Sequence, residues 1–169
     1  MRPLLLLPLV LLAAGARADD DEHDGEHHRR APSRSPQLPL YEAECGACHL
    51  AFPPGLLPAR SWQKLLANLD DHFGQNAELD LPARQQLERW LRENAAEAGT
   101  QRKSEKILRS IRGTTPLRIS TLPYLLSKHD ELPAEVFKRP SVSSRANCAA
   151  CHPDALQGDF EEDRARIPR

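Results

Sequence analysis

Apolar residues recur along this chain at the spacing of a helix face, and no segment shows the sustained alternation of a strand. The clearest example lies between Ser61, which is suited to cap the start of a helix, and Gly74, which is suited to end one. The face that this helix would bury consists of Trp62, Leu65, Leu66, Leu69 and Phe73. The pattern predicts an all-α fold that is rich in loops.

Further helices follow from the same signals. Pro39 suits a first helical turn, and Asp80 and Pro82 open a helix that Gly99 ends. A basic helix is predicted over 101–112 and a short one from Pro123. The face of that short helix would consist of Leu122, Leu125, Leu126, His129 and Leu132. A last helix is predicted to carry Cys148 and Cys151.

The first 37 residues are unlike the rest of the chain. Residues 1–18 contain a short apolar run and a small-residue site that ends at Ala18, which predicts a cleavable signal peptide and export to the periplasm. A membrane anchor is the less favoured alternative, because the run is shorter than the ~20 residues that span a bilayer. Residues 19–37 are acidic, rich in His and almost without apolar side chains, which predicts a disordered tail.

The four cysteines of the chain form two copies of the pattern C-x-x-C-H, at 45–49 and 148–152. This pattern is the signature of c-type haem attachment. Two cysteines three positions apart reach the two vinyl groups of one porphyrin as thioethers, and the following histidine binds the iron. The residues concerned are Cys45, Cys48 and His49 in the first copy and Cys148, Cys151 and His152 in the second. The sequence predicts two covalently bound haem c groups.

Two other interpretations of the cysteines are weaker. A thioredoxin-like dithiol belongs beside a βαβ unit, and this chain shows no strand pattern. A four-cysteine zinc site needs no histidine after each pair of cysteines and fits an exported chain poorly.

The second ligand of each iron can be sought by counting. Electron-transfer haems commonly use Met or His, and the only methionine is Met1, in the predicted signal peptide. Of the seven histidines, two belong to the motifs and three lie in 19–37, which leaves His72 and His129. Both lie on predicted apolar faces, where a plain core histidine is the alternative. The count favours two bis-His irons.

The pairing of these histidines determines the predicted organisation. Local pairing joins His49 with His72 and His152 with His129, whereas crossed pairing stays open. Local pairing divides the chain into two small units that pack around two haems. These are an N-terminal haem c unit at 38–99, similar to class I cytochrome c, and a C-terminal haem c unit at 100–160, followed by a tail at 161–169.

Four stretches, at 44–62, 71–80, 118–131 and 147–152, resemble the dihaem cytochrome c family, sometimes called DHC. The resemblance implies two low-potential bis-His haems, with His72 and His129 in the family's HFG and KH motifs. It also implies electron exchange with a membrane cytochrome b or with a soluble monohaem cytochrome such as the sphaeroides haem protein.

Charge and axial ligation narrow the function further. The chain has a net charge of −1, which argues against general nucleic-acid binding, and no stable membrane insertion is expected after the leader is removed. Residues 100–145 nevertheless carry ten basic and four acidic side chains. This excess fits a solvated face, a counter-charge to haem propionates or a docking patch for an acidic partner.

Two filled axial positions predict an electron carrier rather than an enzyme. One alternative is a haem enzyme or gas sensor with an open iron, in which His72 or His129 acts as an acid–base group. A second is a metal-handling protein that uses the His-rich tail.

Overall fold

A computed structural model describes residues 38–99 and 102–169, so the predicted signal peptide and tail lie outside the described residues. The described residues form helices joined by long loops, and among them the only β-type pairing is an isolated bridge between His72 and Gln75. The prediction of a helical, loop-rich fold is confirmed for this part of the chain. Its α-helices are α1 (Pro39–Cys45), α2 (Ala59–Leu66), α3 (Leu81–Glu93), α4 (Arg102–Ile111) and α5 (Pro123–Ser127).

Short 3-10 helices occur along the rest of the described chain. They lie at Pro54–Leu56, Ala96–Ala98, Ile119–Thr121, Ala134–Lys138, Cys148–Ala150, Ala155–Gln157 and Glu162–Arg164. No helix in the described ranges has both the length and the apolar character needed to cross a bilayer.

Helix α2 is shorter than the apolar pattern predicts. It begins after Pro58, so the prediction that Ser61 caps it is wrong, and Ser61 is instead fully buried inside the first turn. The helix ends at Leu66, and polar side chains stabilise a separate turn farther along the chain. In that turn, Asp71 Oδ1 accepts a hydrogen bond from the Gly74 amide at 2.9 Å. His72 therefore lies on a loop and not on the helix.

The ends of the other helices depend on the same local chemistry. Asp80 caps α3, as predicted, because its Oδ1 accepts a hydrogen bond from the Ala83 amide at 2.7 Å. Helix α5 stops at Ser127, whose hydroxyl donates to the Tyr124 carbonyl, so His129 also follows a helix end. The helix predicted around Cys148 is only the 3-10 turn Cys148–Ala150.

One buried cluster combines both halves of the described chain. Helices α2 and α3 form its centre, and α4 packs against the 3-10 turn at Ala96–Ala98 and against α5. Its members are Tyr41, Leu56, Leu57, Trp62, Leu66, Leu87, Leu91, Ala95, Ile107, Ile111, Ile119 and Leu122. The halves are also joined where Arg60 Nε donates to the Thr114 carbonyl at 3.0 Å. The predicted units therefore share a hydrophobic core, and their separate roles in haem binding stay a prediction.

Candidate haem centres

The four histidines predicted as ligands lie in two local pairs. The ring centroids of His49 and His72 are 6.2 Å apart with planes at 21°, and those of His129 and His152 are 6.2 Å apart with planes at 82°. Two imidazoles on opposite sides of one metal are separated by two metal–nitrogen bonds of about 2.0 Å and two ring radii of about 1.1 Å. Each pair therefore has the spacing at which one iron fits between the rings.

Backbone carbonyls orient one ring of each pair. His49 Nδ1 lies 2.7 Å from the Leu50 carbonyl, and His129 Nδ1 lies 2.7 Å from the Leu125 carbonyl. Because a carbonyl can only accept, Nδ1 carries the proton and donates it, which leaves Nε2 free to bind a metal. Such hydrogen bonds fix the orientation of a ligating histidine. His72 Nδ1, in contrast, is buried without a hydrogen-bond partner among the described residues.

The electrostatic surroundings favour neutral imidazoles, which are the form that binds metals. Burial lowers the pKa of His72, and the neighbouring His49 and Arg118 lower this pKa further. Burial likewise lowers the pKa of His152, with additional contributions from His129 and Lys103.

Each ligand candidate also packs against a phenylalanine, a feature that the sequence interpretation missed. The chain has four phenylalanines in all. The ring-centroid separations are 5.3 Å for His49 and Phe52, 4.8 Å for His72 and Phe73, 6.2 Å for His129 and Phe137, and 5.6 Å for His152 and Phe160. The signal in the sequence is that every phenylalanine follows one of these histidines by at most eight positions.

Each pair of motif cysteines directly precedes His49 or His152 in the chain, and no disulfide joins any of the four. Burial raises the pKa of Cys45 to about 11, with a further increase from Glu44, and burial also raises the pKa of Cys148 and Cys151. A higher thiol pKa lowers the fraction of thiolate at neutral pH. Within 38–99 and 102–169, no group of three or more His, Cys, Asp or Glu side chains is arranged to hold a metal ion.

The two motifs border a shared cleft of about 800 Å³. The lining includes Cys48 and His49 of the first motif, Ala149 of the second motif and Asn147, which directly precedes the second motif. Leu156, whose side chain is 70 % exposed, also lines the cleft. An apolar side chain in this position offers a contact surface to a large apolar group such as a porphyrin. Porphyrins attached at the two motifs would thus be neighbours.

The C-terminal segment, predicted only as a tail, is hydrogen-bonded to the second motif. The Arg166 amide donates to the Cys151 carbonyl at 2.7 Å, and Arg139 Nη1 donates to the Pro168 carbonyl at 2.7 Å. Arg164 forms ion pairs with Asp154, at 3.2 Å, and with the buried carboxylate of Asp159. These contacts hold the chain that follows the motif against it.

Removing the Arg164 side chain is expected to destabilise this segment. Arg164→Ala leaves the Asp159 carboxylate buried without its cation, and we expect a loss of about 1–3 kcal/mol in the free energy of unfolding. Thermal unfolding of the haem-loaded protein measures this effect. Arg166→Ala is the matched control, because the contact made by Arg166 uses its backbone amide. Equal stability of the two variants would contradict the role given to the Asp159–Arg164 pair.

Comparisons with known proteins point to one family. A family profile described as dihaem cytochrome c matches residues 41–160. A diheme cytochrome c from Rhodobacter sphaeroides is 44% identical, with a TM-score of 0.66 over 73% of this chain and 97% of that chain. A diheme cytochrome type c from Shewanella baltica OS155 is 36% identical, with a TM-score of 0.64 over 79% of this chain and 94% of that chain. A search among curated protein sequences gave no match.

Proposed function

Since the chain belongs to the dihaem cytochrome c family and carries two covalently bound haem c groups, we propose that it is an electron carrier with two bis-His irons. The observation that carries the proposal is the separation of 6.2 Å between the ring centroids in both histidine pairs. His49 and His72 would bind the iron of the haem attached at Cys45 and Cys48. His129 and His152 would bind the other iron.

The protein's own groups make the proposed sites suited to electron transfer. When bound, each haem supplies an iron that cycles between the ferric and ferrous states. The imidazoles of His49 and His129 are oriented by backbone carbonyls, so little reorganisation accompanies a change of charge. With both axial positions filled by histidine, no position is left for oxygen or peroxide. This arrangement favours a carrier over an oxygen-using enzyme.

We propose low reduction potentials for both haems. A methionine ligand raises the potential of a c-type haem, and the only methionine of this chain is Met1. The proposed ligands are all imidazoles, which favour the ferric state relative to a Met/His pair.

Transfer between the two haems is part of the proposal. The cleft is lined by residues of both C-x-x-C-H motifs, including His49 and Ala149. Porphyrins that meet along this cleft would have close edges, so an electron that enters at one haem could leave from the other.

The proposed location and partners follow from the sequence and the family. Residues 1–18 have the pattern of a cleavable signal peptide, and haem c is attached outside the cytoplasm, which supports a periplasmic site of action. We propose a membrane cytochrome b and a soluble monohaem cytochrome, such as a sphaeroides haem protein, as redox partners.

A spectroelectrochemical titration of the mature protein tests this function. We expect two one-electron steps, both at potentials below that of a Met/His-ligated cytochrome c measured in the same cell. If the potential of one haem depends on the redox state of the other, the two haems lie close together. Potentials in the range of the Met/His reference would contradict bis-His ligation.

A further inference from the structure

The two loop histidines, His72 and His129, share an arrangement that neither C-x-x-C-H motif requires. The guanidinium carbon of Arg118 lies 3.9 Å from the ring centroid of Phe73, and this ring packs against His72. The guanidinium carbon of Arg145 likewise lies 3.9 Å from the ring centroid of Phe137, which packs against His129. The same order of histidine, phenylalanine and arginine therefore occurs at both candidate centres.

The repetition does not come from a sequence repeat. Phe73 directly follows His72, whereas Phe137 lies eight positions after His129. Arg118 reaches Phe73 from a distant segment, whereas Arg145 is eight positions from Phe137. Two different chain paths therefore lead to one arrangement, which indicates that the arrangement itself serves both sites.

The backbone at Phe73 strengthens this argument. Its φ is 57°, a left-handed conformation that is unfavourable for a bulky aromatic residue. Strain of this kind persists only where surrounding contacts compensate for it, and the contacts here are the His72 ring and the Arg118 guanidinium. Because His72 Nδ1 has no hydrogen-bond partner among the described residues, packing against Phe73 replaces the carbonyl contact that orients His49 and His129.

The arginines also place positive charge near the proposed ligands. With 3.9 Å from Arg118 to the Phe73 ring and 4.8 Å from that ring to the His72 ring, the charge lies less than 9 Å from the His72 ring. Arg145 lies 3.9 Å from the Phe137 ring, and that ring lies 6.2 Å from the His129 ring. The charge of Arg145 can therefore be somewhat farther from His129 than the charge of Arg118 is from His72. A nearby cation stabilises the ferrous state, which has one positive charge fewer than the ferric state.

Arg118 and Arg145 are two of the ten basic residues of the segment 100–145. Both stack on rings that pack against the proposed ligands, so part of the positive charge of this segment lies at the candidate centres.

We propose that Arg118 and Arg145 are positioning residues that hold the second histidine of each iron through a phenylalanine and raise the reduction potential of that haem. The proposal rests on the bis-His function proposed above. Each arginine is expected to affect the potential of one haem only, because each stacks on the phenylalanine beside one histidine pair.

The test measures both potentials in Arg118→Gln and Arg145→Gln. We expect Arg118→Gln to shift the ferric–ferrous equilibrium of one haem three- to tenfold toward the ferric state, which is a decrease of about 30–60 mV. Arg145→Gln should lower the other potential by a smaller amount. Both shifts should shrink as salt is added, since the Debye length of about 10 Å at 0.1 M is similar to these separations. Arg118→Lys should restore most of the potential.

Arg89→Gln is the matched control for the loss of one positive charge. Arg89 is exposed on α3, and it lies two positions from Leu87 and Leu91, which face the core. Equal shifts in Arg118→Gln and Arg89→Gln, or no shift in either arginine variant, would overturn the proposal.

Phe73→Leu adds a readout of position. It keeps apolar volume but removes the ring that joins Arg118 to His72. We expect altered g-values for one low-spin ferric haem, because these values depend on the orientation of the axial imidazoles, and unchanged g-values would count against the positioning role. The bis-His function would still be supported if the wild-type spectrum is low-spin and does not change on addition of CO, even if neither arginine variant changes a reduction potential.

Discussion

Replacing His72 or His129 with alanine is expected to convert one of the two haems from a six-coordinate low-spin state to a high-spin state that binds CO. Each variant removes one member of a histidine pair whose ring centroids are 6.2 Å apart. The remaining ligand, His49 or His152, keeps the iron attached from one side. About half of the haem absorbance should therefore acquire high-spin bands, while the other half stays unchanged.

Added imidazole makes this experiment specific. It should enter the space left by the missing side chain and restore the low-spin spectrum, which a misfolded protein would not do. Asp70→Ala and Lys128→Ala are the controls, because both residues are exposed neighbours of the proposed ligands in the same turns. Low-spin, CO-blind spectra in both histidine variants would contradict the ligand assignment.

Loss of one thioether attachment is expected to unfold much of the protein. Apolar side chains next to the candidate centres are exposed in the protein part alone: Phe73 is 42%, Leu126 is 40% and Leu156 is 70% exposed. Covering a fully exposed side chain of this kind contributes roughly 1.5–3 kcal/mol, so covering the exposed parts of these three contributes about 2–5 kcal/mol, against a typical total stability of about 5–15 kcal/mol. The porphyrins are therefore a major part of the core.

Cys48→Ala and Cys151→Ala test this dependence. We expect each variant to show low periplasmic yield, a broadened thermal transition in circular dichroism and rapid proteolysis. The matched controls are Ala47→Ser and Ala149→Ser, which change exposed positions inside the same motifs without removing an attachment. A variant that lacks one haem but unfolds as cooperatively as the controls would show that the polypeptide core suffices.

The motifs made the chemistry of this chain predictable from its sequence, whereas the path of the chain around them was less so. Two C-x-x-C-H copies and the count of remaining histidines led to His72 and His129, which the structure brings beside His49 and His152. The helical positions predicted for these two residues were wrong. Each histidine lies beyond a helix end, next to a polar side chain that bonds to nearby backbone: Asp71 accepts from the Gly74 amide, and Ser127 donates to the Tyr124 carbonyl.

Contacts between distant segments could not be predicted from the sequence patterns. Arg118 stacks on Phe73 across a long stretch of chain, and no periodicity marks either residue for the other. The buried pair of Asp159 and Arg164 lies in a segment whose composition predicted only a tail. Both features depend on tertiary packing around the candidate centres, which local propensity does not encode.

The central claim is that the mature protein carries two bis-His haems, and its visible spectrum tests this most directly. The spectrum would be recorded in the oxidised and reduced states, with and without CO, together with a haem count per chain. We predict two haems per chain, low-spin bands only and no change on addition of CO. A high-spin ferric band and a CO-shifted ferrous spectrum in the wild-type protein would show an open iron and contradict the account.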